Sequence, residues 1–182
     1  MSFDLGILKF ISENFHHPVL DKIMIFVTNL GEAGAIWFAA AIMLLLFKKT
    51  RKIGAITIFS LVLCALLNEV VIKNIVQRSR PFVDNDFINL IIKEPNSYSF
   101  PSGHTAMSFA AAGVWVRFTE NKLYKLIFIA LAVLMSFSRL YLMVHYPTDV
   151  LAGIVVGLFS AYIAYRFDNS RGGNDKSGRY YS

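Results

Sequence analysis

The sequence predicts an all-α integral membrane protein, a bundle of about six transmembrane helices preceded by an N-terminal amphipathic helix in the interface. Three observations carry that prediction. The chain is 55% hydrophobic and only 16% charged, where a soluble domain carries about 25% charged residues, and its mean hydropathy is +0.52. Five uncharged apolar runs follow one another, and basic residues collect at their ends. At 182 residues the length is that of one domain.

Residues 1–17 form the first element. Phe3, Ile7, Phe10, Ile11 and Phe15 recur at helical spacing, which suits a helix lying in the membrane surface. Asp4, Lys9 and Glu13 interrupt it, so it does not read as a cleavable signal peptide. His16, His17 and Pro18 break the helix. Residues 18–167 form the membrane domain. A short helix from Val19 to Leu30, with Asp21 and Lys22 near its start, ends at Gly31. Gly34 to Phe47 is uncharged. Ile53 to Asn68 is uncharged, and its helix continues through Glu69 and Lys73. Thr105 to Val116 stops at Arg117, Leu126 to Ser138 meets Arg139, and Val150 to Tyr165 stops at Arg166. Each run is shorter than the ~20 residues a span needs and reaches that length only with its polar flanks. The tail, residues 168–182, is rich in Gly, Ser, Asn and charge and reads as disordered. The lone Cys64 excludes an internal disulfide and reads as a helix-packing residue.

Lysines and arginines set the orientation. With six spans, Lys48, Lys49, Arg51, Lys52, Lys122, Lys125, Arg166, Arg171, Lys176 and Arg179 fall on one side, with Arg117 close by. That side is expected to be cytoplasmic, and with it both termini. The opposite, extracytoplasmic face receives three polar clusters.

The first cluster is Lys73-x6-Arg80-Pro81. Two helical turns separate its cations, so a continuous helix would point both the same way until Pro81 ends it. Glu69 is placed to pair with Lys73. Snorkelling at the interface also explains basic residues here, and it is the reading taken for Arg78. The second cluster, Pro101-Ser102-Gly103-His104, opens an apolar helical run. Ser102 suits an N-cap. The free amides of a helix start also suit an anion, and Gly103 lets the backbone approach one. The third is Ser138-Arg139-x5-His145-x3-Asp149. Pro147 suits the first position of the last helix, which places Asp149 in its first turn. Charged groups are costly beside lipid and persist where they pair or act. Cations suit a phosphate, and histidines suit cleavage of its ester. His104, His145 and Asp149 could ligate a metal, but Lys73, Arg80 and Arg139 would repel a divalent ion among them.

In order and spacing, these clusters resemble the signature of the type 2 phosphatidic acid phosphatase superfamily, which includes membrane lipid phosphate phosphatases and vanadium haloperoxidases. Lys73, Arg80, Pro81, Pro101, Ser102, Gly103, His104, Ser138, Arg139, His145 and Asp149 match every signature position. The resemblance implies a phosphatase that needs no metal or other cofactor. In it His145 is the nucleophile, Asp149 orients its ring, and His104 is the acid and base. Lys73, Arg80, Ser102, Gly103 and Arg139 hold the phosphoryl oxygens. It also implies a lipid phosphate substrate drawn from the surrounding membrane lipids, in a compact protein of the bacterial type, with no nucleic-acid partner. Undecaprenyl diphosphate, phosphatidylglycerol phosphate, phosphatidic acid and diacylglycerol pyrophosphate are the candidates. Tyr98, Phe100 and the stretch from Phe87 to Ile92 either line lipid entry or cover the site. A non-catalytic lipid binder would need the cations without the nucleophile, and a haloperoxidase-like oxidase fits a compact membrane chain poorly.

Overall fold

The computed structural model describes residues 3–85 and 88–171, and every regular element among them is helical. The order is α1 (Phe3–Phe15), α2 (Pro18–Leu30), a 310 turn (Glu32–Gly34), α3 (Ala35–Leu46) and α4 (Arg51–Ala65). A π-helical turn (Leu66–Ile72) then leads into α5 (Lys73–Val76), followed by α6 (Pro81–Asp84), α7 (Gly103–Phe118), α8 (Lys122–Tyr141) and α9 (Pro147–Arg171).

Arg51–Asp84, Lys122–Tyr141 and Pro147–Ser170 are each long and apolar enough to cross a bilayer. Their outer faces expose Val62, Val70, Ile75, Leu126, Val133, Leu151 and Val155, the pattern of helices solvated by lipid tails. α7 is the packed centre, buried along most of the stretch from Thr105 to Val114. Small residues let its neighbours close in. A Cβ on Gly157 of α9 would lie 2.3 Å from the Ala106 carbonyl oxygen and 2.9 Å from the Ala110 amide nitrogen. The two helices therefore meet backbone to backbone, as small-xxx-small helix pairs do.

The two ends of the bundle differ. At one, Lys52 Nζ at the start of α4 pairs with Asp168 Oδ2 near the end of α9 at 2.9 Å. Phe118 at the end of α7 meets the Tyr165 ring edge-on there. The other end gathers α5, the start of α7, the end of α8 and the start of α9.

Four sequence expectations change. First, α2 and α3, read as two crossings, are joined through the 310 turn with a bend of 46° and are long and apolar enough only when taken together, the form of a broken span or a re-entrant loop. Gly31, Ala33 (φ 48) and Gly34 (φ 73) make the bend. Second, the helix carrying Lys73 does not run on to Pro81. It stops where Gln77 turns left-handed at φ 50, and Pro81 starts α6. Third, α9 continues through Asp168 to Arg171, and the remainder of the expected tail lies outside the described residues. Fourth, α1 packs at the end opposite the Lys52–Asp168 pair. Asp4 Oδ1 accepts from the Thr148 amide at the start of α9, at 3.2 Å, so the described ends of the chain lie at opposite ends of the bundle.

Candidate active site

The break after α5 brings Lys73 and Arg80 together by a route that helical periodicity does not provide. After Gln77 the chain is extended to Arg80, and both cations end up 5% exposed. Lys73 Nζ donates to Glu69 Oε2 at 2.8 Å and to Ser97 Oγ at 3.2 Å. Arg80 donates from Nε to the Ser97 carbonyl at 2.7 Å, from Nη2 to Ser97 Oγ at 3.1 Å, and from Nη1 to the Val144 carbonyl at 2.8 Å. Ser97 thus ties both cations to the loop before Pro101.

Arg80 Nη1 is also 3.2 Å from His145 Nε2. A guanidinium can only donate, so Nε2 is the unprotonated nitrogen. Burial, then the charges of Arg80, Arg139 and Lys73, hold the His145 pKa well below its ordinary 6.5. The ring is neutral, with its proton on Nδ1, which lies 3.5 Å from Asp149 Oδ2, longer than a hydrogen bond. Asp149 is fully buried. Its Oδ2 accepts from Ser99 Oγ at 2.5 Å and from the Tyr146 amide at 2.9 Å, and its Oδ1 accepts from Arg78 Nη1 at 2.7 Å. The tight turn that delivers His145 holds Met143 at φ 58, a sparsely populated conformation of the kind that clusters at functional sites.

Arg139, on the last turn of α8, donates from Nη1 to Thr28 Oγ1. Its buried Nε–H has no acceptor among the described residues and is available to an anion. His104 Nε2 lies 3.1 Å from the Thr28 carbonyl oxygen and 3.8 Å from Glu32 Oε2. Gly103 lies close to Glu69, where a Cβ would be 2.5 Å from Oε1, the far end of a flexible side chain that can shift.

Lys73, Arg80, Gly103, His104, Arg139 and His145 line one cavity of about 630 Å³, with Glu32, Glu69 and Glu94 among its other lining residues. Ser102 and Asp149 are not brought to its wall. Ser102 is fully buried, its hydroxyl accepts from Thr105 Oγ1 at 3.0 Å, and its amide donates to the Asp149 carbonyl at 3.0 Å. It has the extended backbone of an N-cap without the side-chain capping bond. Ile88, Leu90 and Ile92 pack on the cluster that holds Tyr141, Val144 and Tyr146, and Ile92 also lines the cavity; Phe87 lies outside the described residues.

Sequence reading missed Asp4, Thr28, Arg78, Ser97 and Ser99. Arg78 was set aside as an interfacial cation. The available signals were three basic residues ahead of Pro81 and a Ser-x-Ser alternation before Pro101.

A match to the PAP2 superfamily covers residues 53–172, more than half of the chain. The chain belongs to the PAP2 superfamily. It is 33% identical over 173 residues to an undecaprenyl-diphosphatase of Sulfolobus acidocaldarius, covering 93% of this chain and 81% of that protein. The crystal structure of Aquifex aeolicus LpxE matches with a TM-score of 0.80 at 29% identity, over 91% of this chain and 96% of that one. A transmembrane PAP2-type phosphatidylglycerolphosphate phosphatase from Bacillus subtilis matches with a TM-score of 0.79 at 29% identity, over 97% and 87%. As a PAP2 member with these relatives, the protein is a membrane-embedded lipid phosphatase.

Proposed function

We propose that this PAP2 phosphatase hydrolyses the terminal phosphate of a membrane lipid through a phosphohistidine. The observation that carries the reading is a neutral His145 whose lone-pair nitrogen Nε2 faces Arg80 in a cavity also lined by Lys73 and Arg139. Nε2 attacks phosphorus, the phosphorus–oxygen bond to the lipid breaks, and His104 gives its proton to the leaving oxygen. His104 then takes a proton from water, which attacks the phosphohistidine and releases inorganic phosphate. Asp149 supports the positive charge that forms on the ring. Lys73, Arg80, Arg139 and the Gly103 amide hold the phosphoryl oxygens. Phosphoryl transfer needs mainly positioning and charge stabilisation, which these groups supply without a metal. Ser102 shapes the turn from behind.

The relatives favour two substrates, undecaprenyl diphosphate, which the Sulfolobus protein is named for, and the phosphatidylglycerolphosphate of the Bacillus one. Broad activity on phosphatidic acid and diacylglycerol pyrophosphate is the second reading. The chain crosses the membrane five times, through the broken α2–α3 pair, α4, α7, α8 and α9. Lys48, Lys49, Arg51, Lys52 and Arg166 gather at the end marked by the Lys52–Asp168 pair, which supports a cytoplasmic placement of that end. The cavity and α1 then face outward. α1 is an interfacial element, with Leu8 and Ile11 buried against the bundle and Phe3 and Phe10 exposed.

Purified protein is expected to release inorganic phosphate from these lipids with chelator present. His145→Ala should cut turnover by roughly a thousandfold or more while the protein stays folded. Near-native turnover in that variant, or full loss with chelator that magnesium restores, overturns the mechanism. A panel across the four lipids identifies the substrate.

A further inference from the structure

We infer that Arg78 and Asp4 are positioning residues for the nucleophile, so that the N-terminal helix α1 helps to aim His145. The inference rests on His145 as nucleophile and Asp149 as its partner. Asp149 can serve that role only if its carboxyl plane is fixed. Ser99 and the Tyr146 amide occupy Oδ2. Arg78 Nη1 is what holds Oδ1 of the fully buried Asp149, at 2.7 Å, with the Arg78 side chain itself 30% exposed. Without it Oδ1 would lack this donor, and a buried carboxylate oxygen without one is costly. The group would turn toward other donors and carry Oδ2 away from His145.

Arg78 is itself fixed on several sides. Its guanidinium stacks 3.9 Å from the Tyr146 ring centroid. Nη1 also donates to Thr148 Oγ1 at 2.7 Å, and Nη2 donates to Asp4 Oδ2 at 2.8 Å. Thr148 Oγ1 in turn donates to the same Asp4 oxygen at 2.6 Å, and the Thr148 amide donates to Asp4 Oδ1 at 3.2 Å. Asp4 is 8% exposed. Leu8 and Ile11, one and two turns along α1, pack in the same cluster as Tyr141, Val144 and Tyr146, the segment that delivers His145. Arg78 is absent from the wall of the main cavity. Its guanidinium lies between the Asp4 and Asp149 carboxylates, and Arg78 lines an adjoining pocket together with Lys73 and Arg80. The chain of contacts therefore runs from α1 through Asp4, Arg78 and Asp149 to Nδ1 of His145. Neither Asp4 nor α1 lies within the part of the chain matched to the family, residues 53–172.

The test is kinetic, on the full-length protein in detergent, with phosphate release from lipid as the assay. Asp4→Asn is expected to lower kcat by about tenfold to a hundredfold, the usual range for a group that orients a site residue. KM and inhibition by inorganic phosphate should hold, because the cation cradle is untouched. Vanadate inhibition should weaken in step with kcat, because vanadate mimics the transition state by taking a fifth ligand from the nucleophile. Thr148→Val should move the same readouts in the same direction to a smaller extent. Arg78→Lys keeps the charge but loses the planar fork, and should not rescue. The double variant Asp4→Asn, Arg78→Lys should lose no more than the worse single variant, as expected of one unit. A merely structural role would lower thermal stability and leave kcat per folded molecule and the vanadate constant unchanged, and that result overturns the inference. So does a rise in KM and in the phosphate inhibition constant at constant kcat, which would place Arg78 among the phosphate ligands. His145→Ala in the same assay separates the two levels. If it is inactive while Asp4→Asn is native, only the positioning role fails; if it is active, the nucleophile assignment fails first.

Discussion

His145 combines two requirements that usually conflict. As the proposed nucleophile it needs a free lone pair, yet it stands among Arg80, Arg139 and Lys73, the cations proposed to hold an anionic substrate. Burial, helped by those same charges, resolves the conflict by keeping the ring unprotonated. The cost appears in stability on the acid side. The folded state refuses a proton that the unfolded chain accepts at about pH 6.5, so below that value the unfolded state binds more protons and stability falls as pH falls. The loss is at most about 1.4 kcal/mol per pH unit for one proton, and it ends once pH drops below the depressed folded value. His145→Gln removes the titrating group. Thermal unfolding in detergent from about pH 7.5 to about pH 5.5 should therefore show a shallower decline in the variant than in the native protein. Parallel declines would mean that His145 takes up its proton in the folded state as readily as in water.

At the scale of elements, the contact between α7 and α9 determines whether the two halves of the site meet. α7 begins with Gly103 and His104, and the first turn of α9 carries Asp149. Their backbones approach through Gly157, where a side chain would collide with the Ala106 carbonyl. Gly157→Val is expected to cost about 1–3 kcal/mol by overpacking and to separate His104 from His145. Activity should fall further than stability alone accounts for, measured as turnover per folded molecule. Native turnover in that variant would show that the helices part without disturbing the cavity. Much of this arrangement was legible in advance. The alternation of apolar runs and basic loops announced the helices, and of the residues singled out by spacing, Lys73, Arg80, His104, Arg139 and His145 meet in one cavity. What periodicity could not reveal were the irregular backbone segments. Gln77 adopts a left-handed turn that its residue type does not advertise, so a continuous helix was the natural reading. Ser97 and Ser99 act from a loop with no repeating pattern. Asp4 looked like a polar residue of a surface helix, because its partners Arg78 and Thr148 lie 74 and 144 residues away.

For the whole molecule, the placement of α1 decides the number of crossings. Six separate spans would return the N-terminus to the cytoplasmic side, away from the cavity. Asp4 instead reaches Thr148 at the start of α9 and Arg78 beside Asp149, and His17 donates its amide to the hydroxyl of Tyr141 at the end of α8. Both contacts lie at the cavity end, whereas α3 ends near the start of α4, where Arg51 Nε donates to the Leu45 carbonyl at 3.2 Å. The α2–α3 pair therefore begins at one end and finishes at the other, which supports the five-span reading proposed above against six separate spans. The native Cys64 is buried, so single cysteines placed at exposed sites can report orientation over a low background. Glu13→Cys on α1 and Asn96→Cys in the cavity loop should both react with a membrane-impermeant maleimide added to intact cells. Lys48→Cys, between α3 and α4, should react only after lysis. Labelling of Asn96→Cys from outside with Glu13→Cys protected until lysis would sink the five-span reading, because it would put α1 across the membrane from the carboxylate it is argued to hold. All three patterns reversed would leave the crossing count intact and turn the cavity toward the cytoplasm.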